Sequence, residues 1–400
     1  MPTTALRTRL DLGSVTQLTR TPAAKSIAQQ HGIARIATVD WMRGLVMLLM
    51  VIDHASMAFD GSHLSEDSAM YPEAATMALP AAEFFTRWIT HICAPTFVFL
   101  AGTALALSVE RKVAKGANAW EIDKQILTRG AIIALLDPTI VSLGSGRWTF
   151  QVLLAIGLSM MCMAALRRLS SPAMLGLGVG WFAVGEVITG WVWHPPGPSS
   201  IPAALLVATY GTSSLVIKYP LLPWLAMMMC GWAFGRYLIR FGLGNSRHPP
   251  AAILLVAGAG GLLAFAVVRY AAGYGDMFLH RADNSWQQWL HVSKYPPSIT
   301  YAGLELGLLC VILAALMTFE RRIGFRPNGI LLVFGQTAMF FYLAHRLAFE
   351  IPATYFGLRG AGDLTTTYAV SAVAIVALYP ACRWYRAFKA ARPASILKYI

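Results

Sequence analysis

The sequence predicts an all-α fold, a polytopic transmembrane helix bundle of about ten spans plus one re-entrant or interfacial segment. Three observations carry that expectation. Hydrophobic residues make up 56% of the 400-residue chain and charged residues 13%, about half the charged share of an ordinary globular domain, so too few charges exist to coat a soluble surface. The apolar residues fall into separate runs near the roughly 20-residue length that crosses a bilayer, and mean hydropathy is +0.56. Basic residues alternate between rich and poor connecting segments, as the positive-inside rule requires.

The runs are 42–59, 89–109, 128–145, 149–166, 172–193, 221–240, 250–272, 299–319, 328–349 and 364–382. The third and fourth have almost nothing between them, which predicts a tight helical hairpin. With ten spans, the segments on one side carry Arg7 to Arg35, then Arg111, Lys112, Lys115 and Lys124, then Arg167 and Arg168, Arg240 and Arg247, Arg321 to Arg326, and Arg383 to Lys398. The opposite segments carry only Arg87, Arg147, Lys218, Arg281, Lys294 and Arg359. The rich side is therefore expected to be cytosolic, with both termini there. Residues 200–217 are apolar but short and interrupted by Pro202 and Tyr210-Gly-Thr-Ser-Ser. An eleventh span there would send the C-terminal basic cluster outside, so the stretch is expected to be re-entrant or interfacial.

This divides the chain into a basic cytosolic tail (1–37), a transmembrane domain (38–385) and a second basic tail (386–400). A helix over 23–37 is expected to lie along the membrane surface. The net charge of +13 reads as orientation signals and contacts with anionic lipid rather than a nucleic-acid surface. The first apolar run starts about forty residues in, too late for a signal peptide. Cys93, Cys162, Cys230, Cys310 and Cys382 sit in different runs without a CxxC pair and read as packing residues. The glycines of 176–180 and 258–261 read as small-residue packing surfaces, not phosphate loops. Outer tryptophans (Trp88, Trp191, Trp193, Trp224, Trp286, Trp289) read as an interfacial belt, with sugar stacking as the alternative.

Ionisable residues at membrane depth cost several kcal/mol, roughly 2.5–3.5 each on insertion scales, and so mark function. The first run holds Asp40 and Arg43 near its cytosolic end and Asp53-His54 about 15 Å further along. His91 opens the second run and His345-Arg346 lie in the outer half of the ninth. Asp137 and Glu305 add carboxylates. Three imidazoles brought to one level by three spans are the main sign of a site. Arg43-Gly44 and Arg129-Gly130 recur at cytosolic ends, where glycine permits close helix approach and arginine suits a phosphorylated ligand. Three histidines can also bind metal, but their spacing is not diagnostic, and no metal is expected.

The segments RIATVDWMRGLVMLLMVIDHASMAF and FFTRWITHICAPTFVFLAGTALALS resemble the bacterial DUF1624 family, itself similar to the catalytic domain of heparan-α-glucosaminide N-acetyltransferase. LTRGAII, LLPWLAMMMCGWAFGR, YPPSITYAGLELGLL and FGQTAMFFYLAHRL extend the resemblance over about 35–385. It implies acyl transfer across a bacterial inner membrane: acetyl-CoA donates from the cytosol, and a histidine, as acetyl carrier or as general base, assists transfer to a hydroxyl or amine of an extracytoplasmic sugar or glycolipid. The lysosomal enzyme's functional histidine lies in the connection after the equivalent of the first span, where this chain offers only His63. His54 stands where the lysosomal enzyme has an intramembrane asparagine, and His91 where it has an acidic residue. Which histidine is catalytic stays open on these grounds.

The expected mechanism follows. Arg43 and Arg129, with Asp40 beside Arg43 and Arg111 and Lys112 nearby, hold acyl-CoA phosphates at the cytosolic mouth. His54 deprotonates the acceptor. Asp53, adjacent in sequence, points elsewhere, so His91 or Asp137 is the expected partner of His54, with His345 at the same level. A proton-coupled transporter or flippase is the alternative, since buried carboxylates and histidines also build proton relays, although no internal repeat supports it. A non-catalytic scaffold gains nothing from buried charge. Membrane lipids and a homodimer complete the expected partners.

Overall fold

In a computed structural model the described residues are 37–324, 326–392 and 395. The expected surface helix over 23–37 and most of the N-terminal tail lie outside them. The helices in chain order are α1 (Ala37–Phe59), α2 (Ala81–Trp88), α3 (Cys93–Ala114) and α4 (Ala119–Leu136), the last running on through a π turn (Asp137–Val141) to Ser145. Then come β1 (Trp148–Phe150), α5 (Val152–Leu166), α6 (Ser171–Val192), α7 (Ile201–Leu206), β2 (Tyr210–Gly211) and β3 (Leu215–Ile217). The chain continues with α8 (Leu221–Gly242), α9 (Pro250–Ala271), α10 (Trp286–Leu290), α11 (Ile299–Ile323), α12 (Ile330–Gln336), α13 (Ala338–Tyr355) and α14 (Leu364–Ala390).

All ten predicted runs are helical, and the chain is an all-α membrane bundle. Among the described residues seven spans are long and apolar enough to cross a membrane, with α2 and α3 together forming one; the bent pair α12–α13 makes an eighth. On length and composition alone the count is thus seven or eight against the expected ten, with α5 and α8 the two runs that fall short. α5 has 15 residues and reaches about 22 Å, short of a hydrocarbon core of about 30 Å. α8 carries Arg236 and Arg240 in its last two turns. The ninth run is not one straight helix: α12 and α13 meet at 90° at Thr337. The bend lays α12 across the first half of α1 so closely that a Cβ on Gly44 would strike the Leu331 carbonyl, and one on Gly335 the Asp40 carbonyl. The close approach expected from Gly44 is thus made, to α12.

Residues 200–217 hold no helix long enough to span. They form α7 and a strand pair, β2 antiparallel to β3, with β1 parallel to β3 in the order β1-β3-β2. This small sheet separates the two halves of the predicted α4–α5 hairpin. Gly258 and Gly261 of α9 do pack on Gly307 and Gly303 of α11, where a Cβ on Gly303 would stand 2.7 Å from the Gly261 carbonyl. In the 176–180 run only Gly178 makes such an approach, to Ala226 of α8, and Gly176 and Gly180 face open space. The tryptophan belt is likewise partial. Trp191 is 75% exposed, but Trp193 and Trp224 are buried in the core.

The long segment between α9 and α11 is anchored by buried charge. Arg269 pairs with Asp276 at 2.9 Å and donates to the carbonyls of Leu279, Gln288 and His291. Glu186 accepts the Gly275 and Met277 amides. The backbone amides of Lys294 and Tyr295 both donate to the Asp67 carbonyl, at 3.0 and 3.2 Å. Two distant connections are thereby joined over one end of α1.

Candidate functional site

Successive residues of a helix point about 100° apart, so Asp53 and His54 of α1 face different neighbours. His54 faces α13. Its Nδ1 lies 2.7 Å from Nε2 of His345, and the two rings stack with centroids 5.0 Å apart. Nδ1 of His345 in turn lies 2.7 Å from the Phe341 carbonyl, one turn back on α13. These partners assign the tautomers. A carbonyl only accepts, so His345 carries its proton on Nδ1 and offers a lone pair at Nε2. His54 then donates from Nδ1, which leaves its own Nε2 as the proton acceptor. No described residue hydrogen-bonds that Nε2. Tyr342 packs edge-on against the His54 ring at 5.8 Å.

Asp53 faces the break between α2 and α3. Arg87 Nη1 donates to it at 2.6 Å and Thr90 Oγ1 at 2.9 Å. The same guanidinium donates to Asp67 Oδ2 from Nε at 3.0 Å and Nη2 at 2.5 Å. Arg87 thus bridges two carboxylates in a buried triad. Burial alone would raise the Asp67 pKa; Arg87, with His91 adding to it, outweighs burial and holds the carboxyl well below its usual range. The helix break has a local cause. Pro95 has no N–H to return to the His91 carbonyl, and the Tyr301 hydroxyl takes that carbonyl instead at 3.1 Å. His91 sits in the break with Nε2 3.3 Å from Asp67 Oδ2, close but without hydrogen-bond geometry.

Two of the expected placements change. His91 reaches Asp67 and Tyr301 rather than His54. Asp137 is not a partner of His54 either: its Oδ2 accepts the Gln151 and Leu154 amides, both at 2.8 Å, and so holds the start of α5. The partner of His54 is His345. Asp53 stands apart from His54, as its adjacency requires. Arg346, next to His345, pairs with Glu350 at 3.2 Å, and Glu350 also takes Arg359 at 2.6 Å.

Around this core lie residues whose roles sequence reasoning missed. His63 Nδ1 is 2.8 Å from Ser56 Oγ. Burial first, and then the charge of Arg87, lowers its pKa to about 4. Lys294 is 2% exposed and within electrostatic reach of Asp53, His54, His91 and Glu305. Its neighbour Tyr295 places its hydroxyl 3.4 Å from that of Tyr219. Burial opposes ionisation of the Tyr295 phenol, yet Lys294, Arg87 and Lys218 together lower its pKa below the ordinary value. The available signals were faint: an arginine closing an otherwise acidic connection, and a lysine before Tyr-Pro-Pro.

The other end of α1 has different chemistry. Arg43 Nη2 donates to the Leu100 carbonyl at 3.1 Å, and Nη1 lies 3.4 Å from Asp40. Arg129 of α4 lies within electrostatic reach of Arg43, and Lys112 of α3 within reach of Arg129. The buried Nε of Arg129 has no hydrogen-bond partner among the described residues. Eleven residues of helix, about 16 Å, separate Arg43 from His54. Among the described residues no group of three or more His, Cys, Asp or Glu is arranged to hold a metal ion.

A protein-family model described as heparan-alpha-glucosaminide N-acetyltransferase, catalytic, matches residues 35–267. The match runs from the start of α1 into α9. Against curated proteins the chain has no match.

Proposed function

From a chain that belongs to the heparan-alpha-glucosaminide N-acetyltransferase catalytic family, we propose an integral membrane acyltransferase that carries an acetyl group from cytosolic acetyl-CoA to a hydroxyl or amine of an extracytoplasmic glycan or glycolipid. The observation that carries this reading is the His54–His345 pair, whose hydrogen bonds leave Nε2 of His54 as a base. In this reading the arginine end lies in the cytosol of a bacterial inner membrane, with both chain termini. Arg43, Arg129 and Lys112 attract the donor's phosphates there. The acyl-pantetheine arm runs along α1 toward His54.

The chemistry needs few groups. His54 Nε2 takes the acceptor's proton as its oxygen or nitrogen attacks the thioester carbonyl carbon. The C–S bond breaks, and the coenzyme A thiolate leaves and recovers a proton. His345 fixes the His54 ring and spreads the positive charge that the transfer creates. The Arg87 triad holds the α2–α3 break against α1 and so fixes the wall opposite α13.

The test is transfer of labelled acetyl from acetyl-CoA to sugar acceptors by the full chain in lipid vesicles. His54→Ala is expected to lower transfer by about 10²–10⁴-fold, the usual worth of a general base, while binding of coenzyme A persists. Transfer surviving that substitution removes His54 from the role. Solute uptake without acetyl transfer would favour the proton-coupled transporter instead.

A further inference from the structure

Lys294 is a buried cation without a counter-ion at contact. Its ammonium makes no ion pair within 4 Å and no hydrogen bond among the described residues, although it is 2% exposed. The nearest carboxylates have other engagements: Asp53 and Asp67 both hold Arg87, and Glu305 acts on Lys294 only from beyond contact distance. A lysine so nearly buried, with an aromatic ring beside its ammonium and no carboxylate at contact, is costly to hold, so such a position is expected where a ligand supplies the missing charge.

The surroundings describe that ligand. Lys294 Nζ stands 5.4 Å from the centre of the Tyr295 ring, and Lys218 Nζ stands 5.1 Å from the same centre. Lys218 is half-buried at the outer rim, beside Tyr71 at 5.9 Å, and likewise makes no ion pair within 4 Å among the described residues. The register of the small sheet sets it there, since its amide donates to the Phe150 carbonyl of β1. The Tyr219 and Tyr295 hydroxyls lie 3.4 Å apart, and the Tyr219 ring packs on Trp224 at 4.7 Å. Two lysines, two phenols and aromatic faces gathered here offer the chemistry that suits a sugar ring bearing a negative charge.

We propose that Lys218 and Lys294 form an anion subsite that binds a carboxylate or phosphate group carried by a sugar. Calling that sugar the acceptor rests on the acyl-transfer reading; its being anionic does not. Lys218 captures the group at the rim, and Lys294 fixes it on the floor beside the His54 site.

The experiment needs no transfer. The full chain in lipid nanodiscs is titrated with D-glucose, D-glucuronate and D-glucose 6-phosphate, which share a ring and differ in charge. At least one charged sugar is expected to bind tenfold or more tighter than glucose, with affinity falling as salt rises. Preference for glucuronate assigns a carboxylate, and preference for the 6-phosphate assigns a phosphate. Lys218→Gln, at the rim where folding is not at stake, and Lys294→Met should each remove most of the charge preference, and Lys294→Arg should restore much of it. Equal binding of the three sugars, or a charge preference unmoved in Lys218→Gln, overturns the subsite. Charged-sugar binding that follows the lysines in a protein unable to transfer acetyl would keep the subsite and sink the acyltransferase.

Discussion

The two ends of α1 solve opposite electrostatic problems. At the histidine end opposite charges are interlocked: Arg87 satisfies Asp53 and Asp67 together, and Arg346, Glu350 and Arg359 form a second chain. At the arginine end like charges are gathered: Arg43, Arg129 and Lys112 repel one another across three helices. A network of pairs holds geometry before any ligand arrives. A cluster of cations is relieved by an arriving anion and gains affinity from it. The contrast suits a reaction in which a highly charged donor is held at one mouth and the bond-making groups are kept rigid at the other.

The sharpest way to break this contrast is to unlock the paired end. Arg87→Met leaves two buried carboxylates without their cation, and loss of one partner of a buried pair costs about 3–5 kcal/mol. The thermal midpoint in detergent should fall markedly, and adding Asp53→Asn and Asp67→Asn should recover part of the loss. A midpoint unmoved by Arg87→Met would mean that the triad does not hold the fold. The gathered end should answer differently. Arg129→Gln removes a cation that no described carboxylate pairs, so stability should hold or improve. The KM for acetyl-CoA should rise about tenfold or more, the worth of one charge-assisted hydrogen bond, with kcat little changed. A fall in kcat at constant KM would contradict a donor-holding role.

The smallest effect concerns pH. His63 is held neutral, with its pKa lowered from 6.5 to about 4. Below pH 6.5 the unfolded chain therefore binds a proton that the folded chain refuses. Stability should decline as pH falls from about 6.5 to about 4 and level off below that window. His63→Gln should flatten that slope when midpoints are compared at pH 7 and pH 5.

The periodicity of apolar runs made the helices legible, because length and hydrophobicity are local properties. The 90° turn at Thr337 was not, since hydropathy runs unbroken through it and the close packing of α12 on α1, at Gly44 and Gly335, is a tertiary contact. β1 and β3 escaped because three-residue strands leave almost no pattern. In the site, the common level of His54 and His345 followed from counting along helices, whereas their contact depends on how α1 and α13 rotate about their axes. Asp137 misled because a carboxylate at membrane depth looks the same whether it moves a proton or holds the first amides of the next helix. Lys294 and Arg87 were counted as orientation signals, since burial of a loop residue is set by tertiary contacts that no local pattern carries.

His54 and its partner His345 stand 291 positions apart in the chain. A nascent chain threading into the bilayer would present the first imidazole long before the second leaves the ribosome. Until α13 is in place, His54 lacks the neighbour that sets its tautomer. Translation order thus makes the paired imidazoles one of the late contacts the molecule acquires.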